Sequence, residues 1–459
     1  MSAPMRFPNP LASRSGRLAA FFALYLTEGI PLGFTATAIA THMRRQGLGP
    51  AEIGAFVGSL YLPWAFKWMV GPFVDVFSSD RFGRRRLWIV IAQAFMVITL
   101  MVALPINFTT ELKLFTLIIL IHNAFSATQD VAIDALAVNV LREDERGLAN
   151  GLMFGGAYLG QAVGGSGVLF LAPWIGFPNT YFFVGGCILL VNLLVALPMR
   201  EPPGPPRPPR EGSALRAVGR ELWRFAVDAF RAFTGTRAAW VGVINALLPA
   251  GAFALGLALQ SNLAVELGLD DTRVGLLNLW STIISATCCV AGGWISDRFG
   301  RRRTLALFVF GTTLPTIYLA WAMQQAGWIM PVPPQQPGRP VPPEALVGTF
   351  WGAVMVYNVF QGLYYGTRSA LFMDITTPPV AATQFTAYMA MQNSVITYTA
   401  TWQGWLVERW GYPRTLVADC LFGLVGLSLL PLMAPAKKAG DDPAGRGDPR
   451  GDRALRRAR

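Results

Sequence analysis

The sequence predicts an all-α integral membrane protein, with twelve transmembrane helices in two six-helix bundles and both termini cytoplasmic. Three observations carry that expectation. The 459-residue chain is 53% hydrophobic and only 14% charged, well below the charge of an ordinary soluble domain. Its apolar runs recur at the length that crosses the hydrocarbon layer, roughly 20 residues. The heptapeptide Asp-Arg-Phe-Gly-Arg-Arg-Arg occurs at residues 80–86 and again at 297–303, each time between two such runs, so the chain reads as two copies of one unit.

The first six runs fall at about 18–41, 51–72, 87–105, 112–138, 148–173 and 179–199. The second six fall at about 238–264, 273–296, 304–325, 346–374, 383–406 and 412–434. These give an N-terminal bundle over 18–199 and a C-terminal bundle over 237–434. A short cytoplasmic segment (1–17) precedes them, a linker (200–236) joins them and a basic tail (435–459) follows. The ten-residue alternation of a membrane barrel is missing. The first segment runs into a full-length span without a cleavage pattern, which points to a bacterial inner membrane.

Composition excludes several functions. Cys187, Cys288, Cys289 and Cys420 all fall inside apolar runs, so no disulfide or metal framework is expected. His42 and His122 lack companion ligands, so no metal is expected either. The net charge of +12 does not imply a nucleic-acid partner. Most of the 38 Lys and Arg fall on the side of the N-terminus, the ordinary determinant of membrane orientation. No nucleotide, phosphate-loop or Ser-His-Asp motif accompanies the spans, which argues against an enzyme, an ATP-driven pump or a cofactor.

Six of the eight residues at 202–209 are proline, which stops any helix there. Beyond them, residues 215–233 place Leu222, Phe225, Val227 and Phe230 at helical spacing among arginines. This stretch reads as an amphipathic helix along the headgroups or as a solvated linker. The proline-rich stretch 331–343 should be a semi-rigid outer loop, and the tail should be disordered. Gly151, Gly155, Gly156, Gly160 and Gly164 read as a helix-packing stripe.

The basic loops bring the first chemical detail. Gly83 and Gly300 permit a tight interhelical turn, while the arginines hold the loops among headgroups or pair with acids on neighbouring helices. In the second copy, Gly293, Asp297, Arg298, Gly300 and Arg301 follow the spacing Gly-x3-Asp-Arg-x-Gly-Arg. This loop resembles the signature loop of the major facilitator superfamily. In the first copy, Gly83, Arg84 and Arg85 follow a displaced acid, Asp75, behind Phe66, Lys67 and Pro72. That pattern, with Ser126-Ala127-Thr128-Gln129-Asp130, Asp134-Ala135 and Glu145-Arg146-Gly147, is similar to the muropeptide permease (AmpG-type) branch. Ala382-Thr383-Gln384-Phe385 and Gly404-Trp405-x-Val407-Glu408 extend the likeness. Branches resembling siderophore-uptake permeases and acetyl-CoA transporters share much of it. The resemblance implies the major facilitator fold.

A charge at bilayer depth costs from about 2.5 kcal/mol upward. Glu28, Lys67, Asp130, Asp134, Arg368 and Asp374 should therefore face partners or a cavity. Asp134 and Asp374 occupy corresponding positions in the two halves and read as gate or loop-pairing acids, alongside Arg146. Glu28 and Asp130 lie deeper. A carboxylate removed from water can exchange a proton near neutral pH, the requirement for proton coupling; Asp130 reads equally well as a structural ion pair with Lys67. Glu28 stands beside Gly29, Pro31 and Gly33, which should break the helix, and broken helices host transporter sites. Gln129, next to Asp130, joins this set.

Tyr357, Gln361, Tyr364 and Arg368 recur at steps of four, three and four on the tenth span, so they share a face. They read as the lining of a cavity for a polar, anionic solute, with interhelical hydrogen bonding as the competing reading. Tyr388, Gln392 and Gln403 form a weaker stripe, whereas Tyr61, Trp64 and Trp68 read as packing. The expected protein is a monomeric, proton-coupled secondary transporter, embedded in the lipid bilayer, for a polar organic solute such as an anhydromuropeptide. A siderophore or acyl-CoA-type solute is the alternative, as is a membrane-complex assembly factor of the same fold.

Overall fold

The computed structural model describes residues 9–77, 79, 81–142, 145–202, 213–376 and 381–433. Asp80, most of the 202–209 proline run and the tail from 435 lie outside the described residues, as do the side chains of Asp75, Arg146, Ala382 and Thr383. The regular secondary structure among the described residues is helical, with a single isolated bridge between Ser79 and Gly83. Eight helical stretches among them are long and apolar enough to cross a membrane.

In the first half these are α1 (Arg14–Arg45), α4 (Arg86–Ala103), α5 (Leu112–Val140) and α8 (Phe177–Ala196). Between α1 and α4 run α2 (Pro50–Leu60), two short turns and α3 (Val70–Val76). Helices α6 (Arg146–Ala162) and α7 (Val168–Ile175) precede α8. Helix α9 (Ala214–Thr234) follows the proline run, with the Ser213 hydroxyl accepting from Arg216 N at 3.4 Å. The second half opens with α10 (Arg237–Ala246) and α11 (Ala258–Glu266). It continues with α12 (Asp271–Phe299), α13 (Arg301–Gln325), α14 (Glu344–Asp374) and α15 (Ala381–Val425). Helix α15 bends sharply at Gly411, whose φ of 78° interrupts the helical backbone.

The expected break beside Glu28 is not there. Helix α1 runs on through Pro31 and loosens into a π-type stretch at Phe34–Ile39. Gly29 and Gly33 serve instead to bring α1 against α6, where a side chain would strike the carbonyls of Ala157 and Gln161. The break lies in the other half, over residues 247–257 between α10 and α11.

Gly156, Gly160 and Gly164 meet the same seam from the other side, facing the carbonyls of Phe22, Leu26 and Ile30. Gly151 and Gly155 face open space and take no part in it. Gly160→Leu should force the two backbones apart and destabilise the protein by about 3 kcal/mol, visible as a lowered melting temperature in detergent. The same change at Gly155 should leave the melting temperature unaltered.

In the first half α1 packs on α6, and α4 lies between α5 and α8. In the second, α14 lies between α12 and α13, and α13 also meets α15. The halves touch where α2 crosses α15 and where α12 crosses α6 and α7. Gly54 and Gly404 let α2 and α15 approach to backbone contact.

Candidate functional site

Charged side chains converge on the inner face of the first half. Pro63 and Pro72 interrupt the helix that contains Lys67, leaving that residue in a short irregular turn. From there Lys67 Nζ reaches Asp130 Oδ2 on α5 at 2.8 Å. One helical turn on, Asp134 accepts a hydrogen bond from Tyr25 Oη on α1 at 2.5 Å. Glu28, three residues from Tyr25, faces Trp64 and lies close enough to Lys67, Asp130 and Asp134 to act on them electrostatically. Its Oε2 is buried without a hydrogen-bond partner in the protein. Gln129 sits behind the cluster and is consumed by packing, donating to Leu24 O and Thr27 Oγ1.

Across the interface, the α14 residue that faces this cluster is Tyr365, one position off the expected stripe. It is 46% accessible and lies close enough to Lys67 and Glu28 of the first half, and to Cys289 and Arg368, to interact with them electrostatically, so it faces the seam between the halves. Tyr61 and Tyr158 from the first half interact with the same ring. A cavity of about 110 Å³ adjoins Tyr61, with Gln161, Gln260 and Asn278 among its lining. Gln361, one turn from Tyr365, is half-buried, as is Gln392, whose amide lies 3.7 Å from Met389 Sδ.

The rest of the expected α14 stripe packs against the helix break. Tyr357 is buried against Gly256 at the helix break, and Tyr364 is buried beside Arg368. Arg368 Nη2 donates to Asn245 O and Leu248 O at 2.7 and 3.0 Å, capping the negative end of α10. The opposite side of the break is held by Asp419, which accepts from Phe253 N and Ala254 N at 2.7 and 2.9 Å and from Gln403 Nε2 at 2.6 Å. Asp419→Ala strands two buried amides; a loss of about 3 kcal/mol follows, measurable by thermal unfolding.

On the face away from the N-terminus the halves are fastened by charge. Arg44 at the end of α1 donates to Glu266 at the end of α11 at 2.7 Å, with both side chains at most 1% exposed. Glu266 also accepts from Tyr412 Oη at 2.6 Å, Val332 N at 2.8 Å and Trp328 Nε1 at 3.1 Å. Arg45 pairs with Asp271 at 2.5 Å. The proline-rich loop lies over this pair, since Arg44 also donates to Val332 O and Gln335 donates to Arg45 O.

The two basic loops, on the opposite face, use different partners. Gly83 and Gly300 both have positive φ, 92° and 91°. Arg301 bridges Asp297 at 2.9 Å and Asp374 at 2.5 Å, tying α12 to α14. Arg298 lies over the rings of Trp294 and Phe299, and Gly293 faces open space. In the first loop, Arg85 N donates to Glu201 Oε1 at 2.8 Å and Arg85 Nη1 to Val74 O at 3.1 Å; Arg84 is half-buried and also engaged. Nearby, the Arg17 guanidinium holds the Glu145 carboxyl below the usual carboxylate range, through contacts of 3.0 and 2.5 Å.

The profile of the Major Facilitator Superfamily matches residues 18–400. The chain belongs to the major facilitator superfamily. Within it, the chain resembles the muropeptide permease branch. It is 25% identical over 422 residues to the anhydromuropeptide permease of Escherichia coli K12, covering 90% of this chain and 79% of that protein. A Rickettsia felis transporter named AmpG 4 is 23% identical over 427 residues, covering 90% and 95%. Among solved structures, the inward-open xylose transporter XylE from E. coli superposes with a TM-score of 0.65 at 14% identity, over 93% of this chain and 98% of that one. That likeness fixes the fold. The chain is a multi-pass membrane transporter whose relatives are permeases, not enzymes.

Proposed function

We propose that this protein is a proton-coupled secondary transporter of the bacterial inner membrane that moves an anhydromuropeptide-like solute by alternating access. The carrying observation is the cluster of Glu28, Lys67, Asp130 and Asp134 facing Tyr365 across the seam between the halves. Three carboxyl groups share one ammonium, so the cluster can take up and release a proton without acquiring net positive charge. Tyrosine rings from both halves offer apolar faces with polar edges, which suit a sugar–peptide solute. The E. coli relative is named for such a solute.

In this reading twelve spans form two six-helix bundles, over 18–199 and 237–434, with both termini cytoplasmic. The Arg44–Glu266 face is then external and closed, and the cavity communicates with the cytoplasmic side. Opening the external face requires the first bundle to rock away from the second, which breaks the Arg44 and Arg45 pairs. The working unit is a monomer.

The test is uptake of labelled anhydromuropeptide into proteoliposomes under an imposed pH gradient. Accumulation that a protonophore collapses supports the reading. Binding without gradient-driven accumulation removes the proton from it.

A further inference from the structure

Helix α9 carries three separate stripes. Val218, Ala229 and Phe233 turn inward and are buried. On this same side Phe225 stacks on Trp68 at 5.3 Å and Phe233 meets Tyr388 at 5.2 Å. One helix thus grips the turn beside Lys67 in the first half and α15 in the second. A second stripe, Leu215, Trp223 and Phe230, repeats every two turns and is 70%, 72% and 68% exposed. The third, Arg216, Arg220, Arg224 and Arg231, runs alongside it and is exposed as well. Glu221 and Asp228 lie beyond the arginines, on the far side from the apolar stripe.

A tryptophan, a phenylalanine and a leucine in one exposed line are costly in water and favourable at the edge of a bilayer. An adjacent row of guanidinium groups suits phosphate oxygens, which it binds through paired hydrogen bonds. Helix α9 packs on α3 of the first half, and Asn9 and Arg200 exchange hydrogen bonds of 3.0 and 2.9 Å where the N-terminal segment meets the end of that half.

We propose that α9 is a docking surface for the acidic phospholipids of the protein's own bilayer. The apolar stripe enters the acyl-chain boundary, and the arginine stripe pairs with headgroup phosphates. Because the buried stripe touches both halves, a docked lipid anchors a crossbar between them. The surface is independent of the solute and of the coupling ion, and its test needs no transport.

The experiment uses the full-length protein in detergent with phosphatidylglycerol or phosphatidylcholine, reading retained lipid by native mass spectrometry. The parent protein should retain phosphatidylglycerol preferentially. Replacing the four arginines by glutamine (Arg216→Gln, Arg220→Gln, Arg224→Gln, Arg231→Gln) should lower that retention at least about tenfold. The matching lysine variant should keep most of it. Equal retention of both lipids by the parent overturns the proposal, as does an undiminished preference in the glutamine variant. If that variant does not fold, the Arg220→Gln/Arg224→Gln pair is held to the same criterion.

Discussion

Glu266→Ala is expected to destabilise the protein by about 3–5 kcal/mol, because it leaves the Arg44 guanidinium buried without its counter-charge. The loss extends past one ion pair. Tyr412 Oη, Trp328 Nε1 and Val332 N all donate to the same carboxylate, so its removal strands three further donors. Arg44→Ala should cost a similar amount for the mirror reason. The double variant should cost less than the sum of the two, since neither charge is then left alone. Thermal unfolding in detergent measures all three. The same substitutions should also bias the protein toward opening on this face, because Arg44 and Glu266 belong to different halves. A cysteine introduced at Gln335, in the loop over the pair, should label faster with a membrane-impermeant maleimide in the Glu266→Ala background. An unchanged melting temperature for both single variants would remove the fastening role.

Lys67→Ala should be the most damaging change within the charged cluster. It deletes the cation that stands among Glu28, Asp130 and Asp134 and leaves Asp130, 3% exposed, without its partner at 2.8 Å. Breaking such a pair costs about 3 kcal/mol. Adding Asp130→Asn should restore most of the stability, because the uncompensated charge disappears with it. It should not restore gradient-driven uptake, because the cluster then lacks both members of its pair. Stability recovered together with transport would show the pair to be a structural filler. Stability that does not recover would mean Lys67 is held by contacts other than charge.

The fold was legible because membrane physics leaves few options. Long apolar runs must be helices, and two identical basic loops between them mark a duplication. The Lys67–Asp130 pair was legible too, as the competing reading of two charges that both sit in apolar runs. Asp374 and Arg301 could be matched from the loop alone. Other parts were hidden for definite reasons. Arg44 and Glu266 stand at helix ends, where a charge normally meets water, and their meeting depends on how the two halves dock. Asp419 did carry a signal, an acid inside the last apolar run, but its role follows from a helix break 160-odd residues away in sequence. Tyr365 was passed over because the regular spacing of Tyr357, Tyr364 and Arg368 drew attention to a neighbouring face of α14. That face is taken by the break between α10 and α11, which Arg368 caps. The glycines next to Glu28 pointed to a broken helix when their work was close packing, since both uses call for the same small residue.

If proton movement passes through the carboxylate cluster of the first half, it should depend on Glu28, the member without a protein partner on Oε2. The most direct measurement is the pH change outside proteoliposomes on addition of anhydromuropeptide, for the parent protein and for Glu28→Gln. Solute-dependent proton movement is expected in the parent, with its loss by at least about tenfold in Glu28→Gln as for an essential proton-transfer group, and a melting temperature within a few degrees of the parent. Equal proton movement in the two proteins would exclude a proton path through Glu28.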